Sequence, residues 1–441
     1  MHIWRKFKRS GFIFLFVVNI MFLSSFTYIS KGLLNSQTVL KTSTHTMDLP
    51  TPFPEFVRHT TKQGWNPDIK HKITKIGDVN DSFEAIYELV NPQTMIENGF
   101  NGENVTIAIL DSGINEVGWI TNLVGSYTTV SNSELVDDDN GHGTLVASII
   151  SMIAPAANLI SIRVTDKTGF AETEWVEEGL ELALSLNASI IHASLGTSDL
   201  EALNSSIFSD LSNRNISTVF SAGNEGPYAS SLSSPAIFAE TIAVGMLLND
   251  TYLYPSSSSG PRPSGFIGPD LVAPGVEIVG YNHEGKVTNN TGSSFAAPFV
   301  TGALALLKEA FPEVSPIILK AALLETAHFI NNSAQYINNA SPIKQGNGLL
   351  DISKAYQRLQ IIDTEPLFTF TPRKLSSDFP YYGHSINGVN RTYSIGLYST
   401  INTTLTQINT TQEYPTSNAT QTLPFEVSAG TLPRNINVGL N

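Results

Sequence analysis

The 441-residue chain contains no cysteine. That excludes disulfide bonds, a thiol nucleophile and cysteine-ligated zinc, and it leaves the redox compartment open. Charge is also scarce: only 15% of residues are Asp, Glu, Lys or Arg, and 39 acidic residues outnumber 25 basic ones for a net charge of −14. Beyond the N-terminus no block of basic residues occurs, which argues against nucleic acid as a partner. Tandem repeats are absent, and so is a second apolar run of membrane-spanning length. The C-terminus is therefore expected on the same side of any membrane as the body.

What is present begins with a targeting signal. Arg5, Lys6, Lys8 and Arg9 precede a mostly apolar run from Gly11 to about Ile29. The run exceeds the usual core of a cleaved signal peptide and approaches a membrane span. We expect a cytosolic basic tail over 1–10 and a signal-anchor over 11–30, with the membrane as a partner. A cleaved signal would give the same topology, a body outside the cytosol at a cell surface or in a secretory lumen. Thirteen Asn-x-Ser/Thr sequons fit surface glycosylation of such a chain. Those of the tail (Asn390, Asn402, Asn409, Asn418) are expected to be better acceptors than Asn104 or Asn187, which lie close to buried strands. Residues 31–80, with Pro50, Pro52, Pro54 and Pro67, read as a linker or a reduced pro-segment.

From 81 to 360 the pattern alternates. Val105–Leu110 is a continuous apolar strand of the kind buried on both faces, and an apolar helix over Thr144–Ile153 follows Gly-His-Gly. Strands at Leu159–Val164, Ser189–Ala193, Thr218–Ser221, Thr241–Val244 and Val276–Val279 interleave with helices at Glu172–Leu186 and about Leu200–Leu211. Helices over Ser294–Ala310 and Ser315–Ala327 follow. This spacing predicts an α/β domain, a doubly wound parallel sheet with helices on both faces. Ligand chemistry in such folds lies beyond the carboxyl ends of the strands. Residues 361–441 lose helical periodicity and read as a small β-rich module, with short runs at Thr392–Leu397 and Leu423–Val427.

Four residues stand where chemistry is expected. Asp111 closes an apolar strand, where a buried carboxylate needs strong partners. His142 sits between two glycines at a helix start, and Asn224 follows a strand in Ser-Ala-Gly-Asn-Glu-Gly. Ser294 opens a helix of small apolar residues after Gly292, which allows a tight turn. Each has a plain structural role available: a capped turn, a surface histidine, a left-handed turn residue, a helix cap. Jointly they supply an acid, a base, an amide donor and a hydroxyl, in the chain order of subtilisin-type triads. Asp137, Asp138 and Asp139 read as a solvated acidic loop, and no metal ligand can be named.

The ordered motifs Asp-Ser-Gly, Gly-His-Gly-Thr, Ser-Leu-Gly at 194–196, Gly-Asn-Glu-Gly at 223–226 and Gly-Ser-Ser-x-Ala-x-Pro resemble those of the subtilases. The likeness runs from about 95 to 358. Asp137–Asp139, the Gly-Asn-Glu-Gly-Pro-Tyr stretch and Leu350–Tyr356 are most similar to the site-1 protease branch. The resemblance implies a serine endopeptidase acting on proteins or peptides, with Asp111, His142 and Ser294 catalytic and Asn224 in the oxyanion hole. Ser194, Leu195 and Gly196 would present backbone to an extended substrate. It implies no cofactor for the chemistry; calcium, where subtilases hold it, is structural. The sequence departs from the family at Ser293, where threonine is usual, and shows no recognisable pro-domain. The rival reading is a catalytically silent homologue serving as a peptide-binding or surface adhesion protein.

Overall fold

The computed structural model describes residues 40–42, 86, 88–131, 133–200, 203–249, 252–263, 267–330 and 342–362, and the strand residues of 368–370, 391–399, 408–410, 421–423 and 434–440. The basic tail and the apolar run expected as an anchor lie outside them. Among the described residues no helix is long and apolar enough to cross a membrane.

In chain order, a short strand β1 (Leu40–Thr42) precedes helix α1 (Gln93–Glu97), strands β2 (Thr106–Asp111) and β3 (Leu123–Thr128), and helix α2 (His142–Ile153). Strands β4 (Asn158–Arg163) and β5 (Phe170–Ala171), helix α3 (Thr173–Ser185), strands β6 (Ile190–Ala193) and β7 (Leu195–Gly196) and helix α4 (Ser206–Asn213) follow. Then come β8 (Ser217–Ser221), β9 (Ile242–Asn249), β10 (Tyr252–Leu253), β11 (Leu271–Pro274) and a hairpin of β12 (Ile278–Tyr281) and β13 (Val287–Asn290). Helices α5 (Ser293–Ala310), α6 (Pro316–Thr326), α7 (Pro342–Gln345) and α8 (Ile352–Gln360) complete this part.

The central sheet has the order β10-β9-β8-β6-β2-β4-β3, with β11 also paired to β9. All its pairings are parallel except β9 with β10. The alternation of β2 shows how the two faces are filled. Ile107 and Ile109 join Leu145, Ile149, Phe299 and Val300 on the face of α2 and α5. Ala108 and Leu110 join Val176, Leu180, Phe208 and Phe220 on the face of α3 and α4. Because both faces are covered, β2 carries no polar residue between Ile107 and Leu110, and Asp111 is the first. The doubly wound α/β architecture is therefore as the sequence indicates.

Several boundaries differ from expectation. Helix α4 begins at Ser206 rather than Leu200, because Asn204 Oδ1 accepts the Ser206 N–H at 3.0 Å and starts the helix there. Strand β9 runs on through Gly245 to Asn249. Val276–Val279 contributes only its end, to the β12–β13 hairpin outside the central sheet. Asn104 and Asn187 lie close to buried strands, as expected, in exposed left-handed turns (φ 63° and 54°) leading into β2 and β6.

Beyond residue 362 the described strands β14 (Phe368–Phe370), β15 (Arg391–Ser399), β16 (Ile408–Thr410), β17 (Gln421–Leu423) and β18 (Arg434–Leu440) all pair antiparallel. The run expected at Leu423–Val427 lies, past its first residue, outside the described residues.

Candidate active site

Because β2, β6 and β8 are parallel, their carboxyl ends reach one edge of the sheet, and the expected chemistry collects there. Asp111 ends β2 and is fully buried. Its Oδ1 accepts the Ser112 N–H at 2.8 Å and lies 2.7 Å from His142 Nδ1. Among the described residues Asp111 Oδ2 and His142 Nε2 have no hydrogen-bond partner.

The two glycines around His142 have separate causes. Gly141 caps α2 with a left-handed backbone (φ 101°), which residues with a side chain rarely adopt. At Gly143 a Cβ would run into the Gly113 carbonyl, so only glycine lets α2 approach the turn after β2 this closely. The N-terminal N–H groups of α2 are met by side chains: His142 N–H donates to Asn140 Oδ1 at 3.2 Å and Gly143 N–H to Ser112 Oγ at 3.0 Å, and Asp138 holds the turn around them. Its Oδ1 accepts from Gly141 N–H at 2.8 Å, Asn140 N–H at 3.0 Å and Ser112 Oγ at 2.9 Å. Its Oδ2 accepts from Thr144 N–H at 2.9 Å and Thr144 Oγ1 at 2.6 Å.

Asp137 and Asp139 are exposed, as the reading of a solvated acidic loop has it, but Asp138 is not. Asp138 is buried by the capping network, and Asp139 pairs with Arg163 at 2.9 Å. Arg163 Nη1 also donates to the Asp137 carbonyl at 2.6 Å. Among the described residues no group of three or more His, Asp or Glu gathers that could hold a metal ion.

Two effects oppose each other at His142. Burial penalises the imidazolium, but the Asp111 charge, the hydrogen bond to it and the more distant Asp138 charge outweigh that penalty. The imidazole is therefore held above its ordinary 6.5.

Ser294 is the second residue of α5 and is 2% exposed. Gly292 before the helix has extended backbone (φ 164°), so the tight turn inferred from the sequence is not what it provides. Ser294 Oγ donates to the Ser194 carbonyl at 3.3 Å, and the Ser194 hydroxyl donates to the Ser294 carbonyl at 2.6 Å. The next residue, Phe295, sets its ring 5.3 Å from the His142 ring, which brings the start of α5 against the Asp111–His142 pair.

Asn224 is tied to the same helix start. Its Oδ1 accepts from Ser293 N–H at 2.9 Å and from Ser293 Oγ at 3.1 Å, while Ser293 Oγ accepts the Gly223 N–H at 3.1 Å. With Oδ1 occupied, the side-chain NH2 is the group left to meet a ligand. The hydroxyl at 293 is thus used as both donor and acceptor, which explains why serine serves where threonine was expected. Glu225 stiffens the loop: its Oε2 accepts from Asn224 N–H at 2.8 Å and Ser258 Oγ at 3.0 Å.

Leu195 and Gly196 form β7, whose backbone pairs with β1 on one side of a groove, and β5 pairs with β1 on the other. The register is antiparallel: Lys41 stands opposite both Phe170 and Gly196, Leu40 opposite Ala171, and Thr42 opposite Leu195. A piece of the segment read as a linker or reduced pro-segment thus lies as a middle strand between β5 and β7.

Sequence reasoning singled out Asp111, His142, Asn224, Ser294 and Ser194–Gly196, and the structure brings all of them to this one edge. It missed Asp138 as the cap of α2, Phe170–Ala171 as the opposite rim of the groove, and the double use of Ser293. Only the first had a signal, an aspartate a few residues ahead of a helix start.

Residues 102–351 match the Subtilase family. Subtilisin amylosacchariticus of Bacillus subtilis subsp. amylosacchariticus is 31% identical over 271 residues, covering 59% of this chain and 67% of that protein. Subtilisin of Bacillus pumilus is 30% identical over 271 residues, 59% of this chain and 93% of its own length. The membrane-bound transcription factor site-1 protease of Mus musculus is 29% identical over 278 residues, again 59% of this chain but only 26% of that protein. A family match over more than half the chain, on a doubly wound sheet carrying the family's motifs at one edge, makes this chain a subtilase, a subtilisin-like serine peptidase.

Proposed function

We propose that the chain is an extracytoplasmic serine endopeptidase that cleaves proteins through Ser294, His142 and Asp111. The observation that carries this reading is the buried 2.7 Å contact of Asp111 with His142 Nδ1, set beside the first turn of α5, which holds Ser294. Asp111 accepts the Nδ1 proton and so directs the unprotonated Nε2 outward. His142 takes the Ser294 Oγ proton as Oγ attacks the scissile carbonyl, and it then delivers that proton to the leaving amine. The Asn224 NH2 and the Ser294 backbone N–H stabilise the oxyanion of each tetrahedral intermediate. Water, deprotonated by the same imidazole, releases the acyl group. The substrate enters extended between β5 and β7 by strand addition, and the pairing of β1 there supports a groove of that shape. The N-terminal apolar run supports delivery across a membrane with the body on the far side. Likeness in sequence to the site-1 protease branch favours a basic residue a few positions before the cut; profiling a peptide library tests that.

His142 must be neutral to act as base, so kcat/KM should rise with pH to a plateau, with its half-point above 6.5 because the pKa in the free folded protein is raised. The stability effect has the opposite sign. A raised folded pKa makes the charged pair stabilising below 6.5, and that contribution fades as pH climbs through the folded value. A rate profile on an unfolded protein substrate checks the first statement, and denaturant midpoints across the same range check the second. A midpoint at or below 6.5 would contradict the site's electrostatics. Protein hydrolysis that a sulfonyl fluoride leaves untouched would defeat the functional reading itself.

A further inference from the structure

Behind Ser294 lies a second, fully buried histidine that the mechanism above does not use. His192 sits in β6 at 0% exposure, with Ser194 and Thr301 also at 0%. Its Nδ1 is 2.7 Å from Thr301 Oγ1 and its Nε2 is 2.9 Å from Ser194 Oγ, whose own proton goes to the Ser294 carbonyl at 2.6 Å.

The need for that last bond is written in the sequence. In an α-helix the Ser294 carbonyl would accept the N–H four residues on, and that residue is Pro298, which has none. The carbonyl of the nucleophile's own residue therefore receives its hydrogen bond from outside the helix, from Ser194.

The proton directions then follow one another. Ser194 has a single hydroxyl proton and gives it to the Ser294 carbonyl, so its contact with His192 requires Nε2–H to donate. A neutral imidazole protonated at Nε2 accepts at Nδ1, and the Thr301 hydroxyl supplies that proton; its distance to the Ala297 carbonyl is the longer 3.4 Å. The result is one ordered chain from Thr301 through His192 and Ser194 to Ser294, starting and ending on α5. Burial, and then the charge of nearby His142, push the His192 pKa down to about 3, so the imidazole stays neutral.

We propose that His192 is a positioning residue for the proteolytic reaction: it fixes the Ser194 hydroxyl as donor to the Ser294 carbonyl and thereby holds the nucleophile's turn in its attacking orientation. The inference rests on Ser294 being the nucleophile, as proposed above.

The test uses the full chain with purified His192→Phe, Ser194→Ala, the double variant and His192→Gln. Phenylalanine fills the ring's space without donating. Glutamine keeps a donor near Nε2. Each single loss should lower kcat on the order of 10- to 100-fold, the scale of a misplaced reacting group, with KM little changed. Because both act through one chain, the double variant should be no slower than the slower single variant. His192→Gln should recover most of the lost rate. Unchanged kcat in both single variants, or a double loss equal to the product of the two, would overturn the proposal. Should His192→Phe fail to fold by circular dichroism, Ser194→Ala and His192→Gln decide the question, since neither adds bulk to the core. A folded wild type that neither cleaves protein nor reacts with a fluorophosphonate would fail the endopeptidase reading instead, and that outcome is distinct from an active wild type indifferent to His192.

Discussion

Replacing Asp111 with asparagine should lower kcat on the order of 10⁴-fold while leaving the fold intact, a magnitude taken from other serine-protease triads. The geometry explains why so small a change is so costly. Asp111 Oδ1 lies 2.7 Å from His142 Nδ1, at a site with no exposure to water. A carboxylate can only accept there, so it selects the tautomer with the proton on Nδ1 and the lone pair on Nε2. An asparagine amide can turn its NH2 toward Nδ1 and donate there, giving up the Ser112 N–H that Oδ1 accepts at 2.8 Å. That choice puts the ring proton on Nε2, facing the nucleophile, and the base is lost. The same substitution removes the main force that holds the His142 pKa up against burial, so residual activity should show a lower pH midpoint than wild type. KM should move little, because Asp111 touches no part of an extended substrate. A loss under about tenfold would mean that this pair does not drive the reaction.

Asn224→Asp should cost on the order of 10²–10³ in kcat, the scale measured for a lost oxyanion donor in subtilisin. The choice of aspartate isolates the effect. It keeps an oxygen able to accept from Ser293 N–H and Oγ, which Asn224 Oδ1 does at 2.9 and 3.1 Å, so the start of α5 stays tethered. What it replaces is the NH2 group, and it adds a negative charge where the oxyanion would form. An alanine would confuse these effects by also stripping Ser293 of its acceptor. Steady-state kinetics should place nearly all of the loss in kcat. A loss confined to KM would reassign Asn224 to holding the ground-state substrate.

The parts of this molecule that could be read from sequence are those where one local rule decides. Strand β2 announces itself because a strand covered on both faces must be apolar where it is buried, here Ile107–Leu110, and the polar residue that ends the run, Asp111, falls where the sheet edge begins. Strand β3 escaped notice for the converse reason: as the sheet's edge strand, in the sequence LVGSYT, it is half-exposed and has a register shift near Gly125, so it has neither a continuous apolar run nor strict alternation. Gly245 reads in the sequence as the end of β9, yet the glycine is there for close packing: a Cβ would sit 2.9 Å from Ser257 Oγ and 3.0 Å from Pro269 Cγ. Within the site, residue types at helix starts and strand ends were legible. The partners that hold them were not, since Asp138 with Ser112, Ser293 with Asn224 and Ser194 with Ser294 are contacts across 26, 69 and 100 residues of chain. Spacing along a sequence carries no record of such closures. Thr301 with His192 is the extreme case, an ordinary threonine and an ordinary strand histidine until the fold aligns them across 109 residues.

The central claim is that Ser294 is the one serine activated for attack. Labelling the purified, folded full chain with a fluorophosphonate above the His142 midpoint, followed by peptide mapping, tests it directly. We expect one equivalent of phosphonyl adduct on Ser294, none on denatured protein, and none on Ser294→Ala. A folded wild type that stays unlabelled, or that carries the adduct on a different residue, would contradict the account.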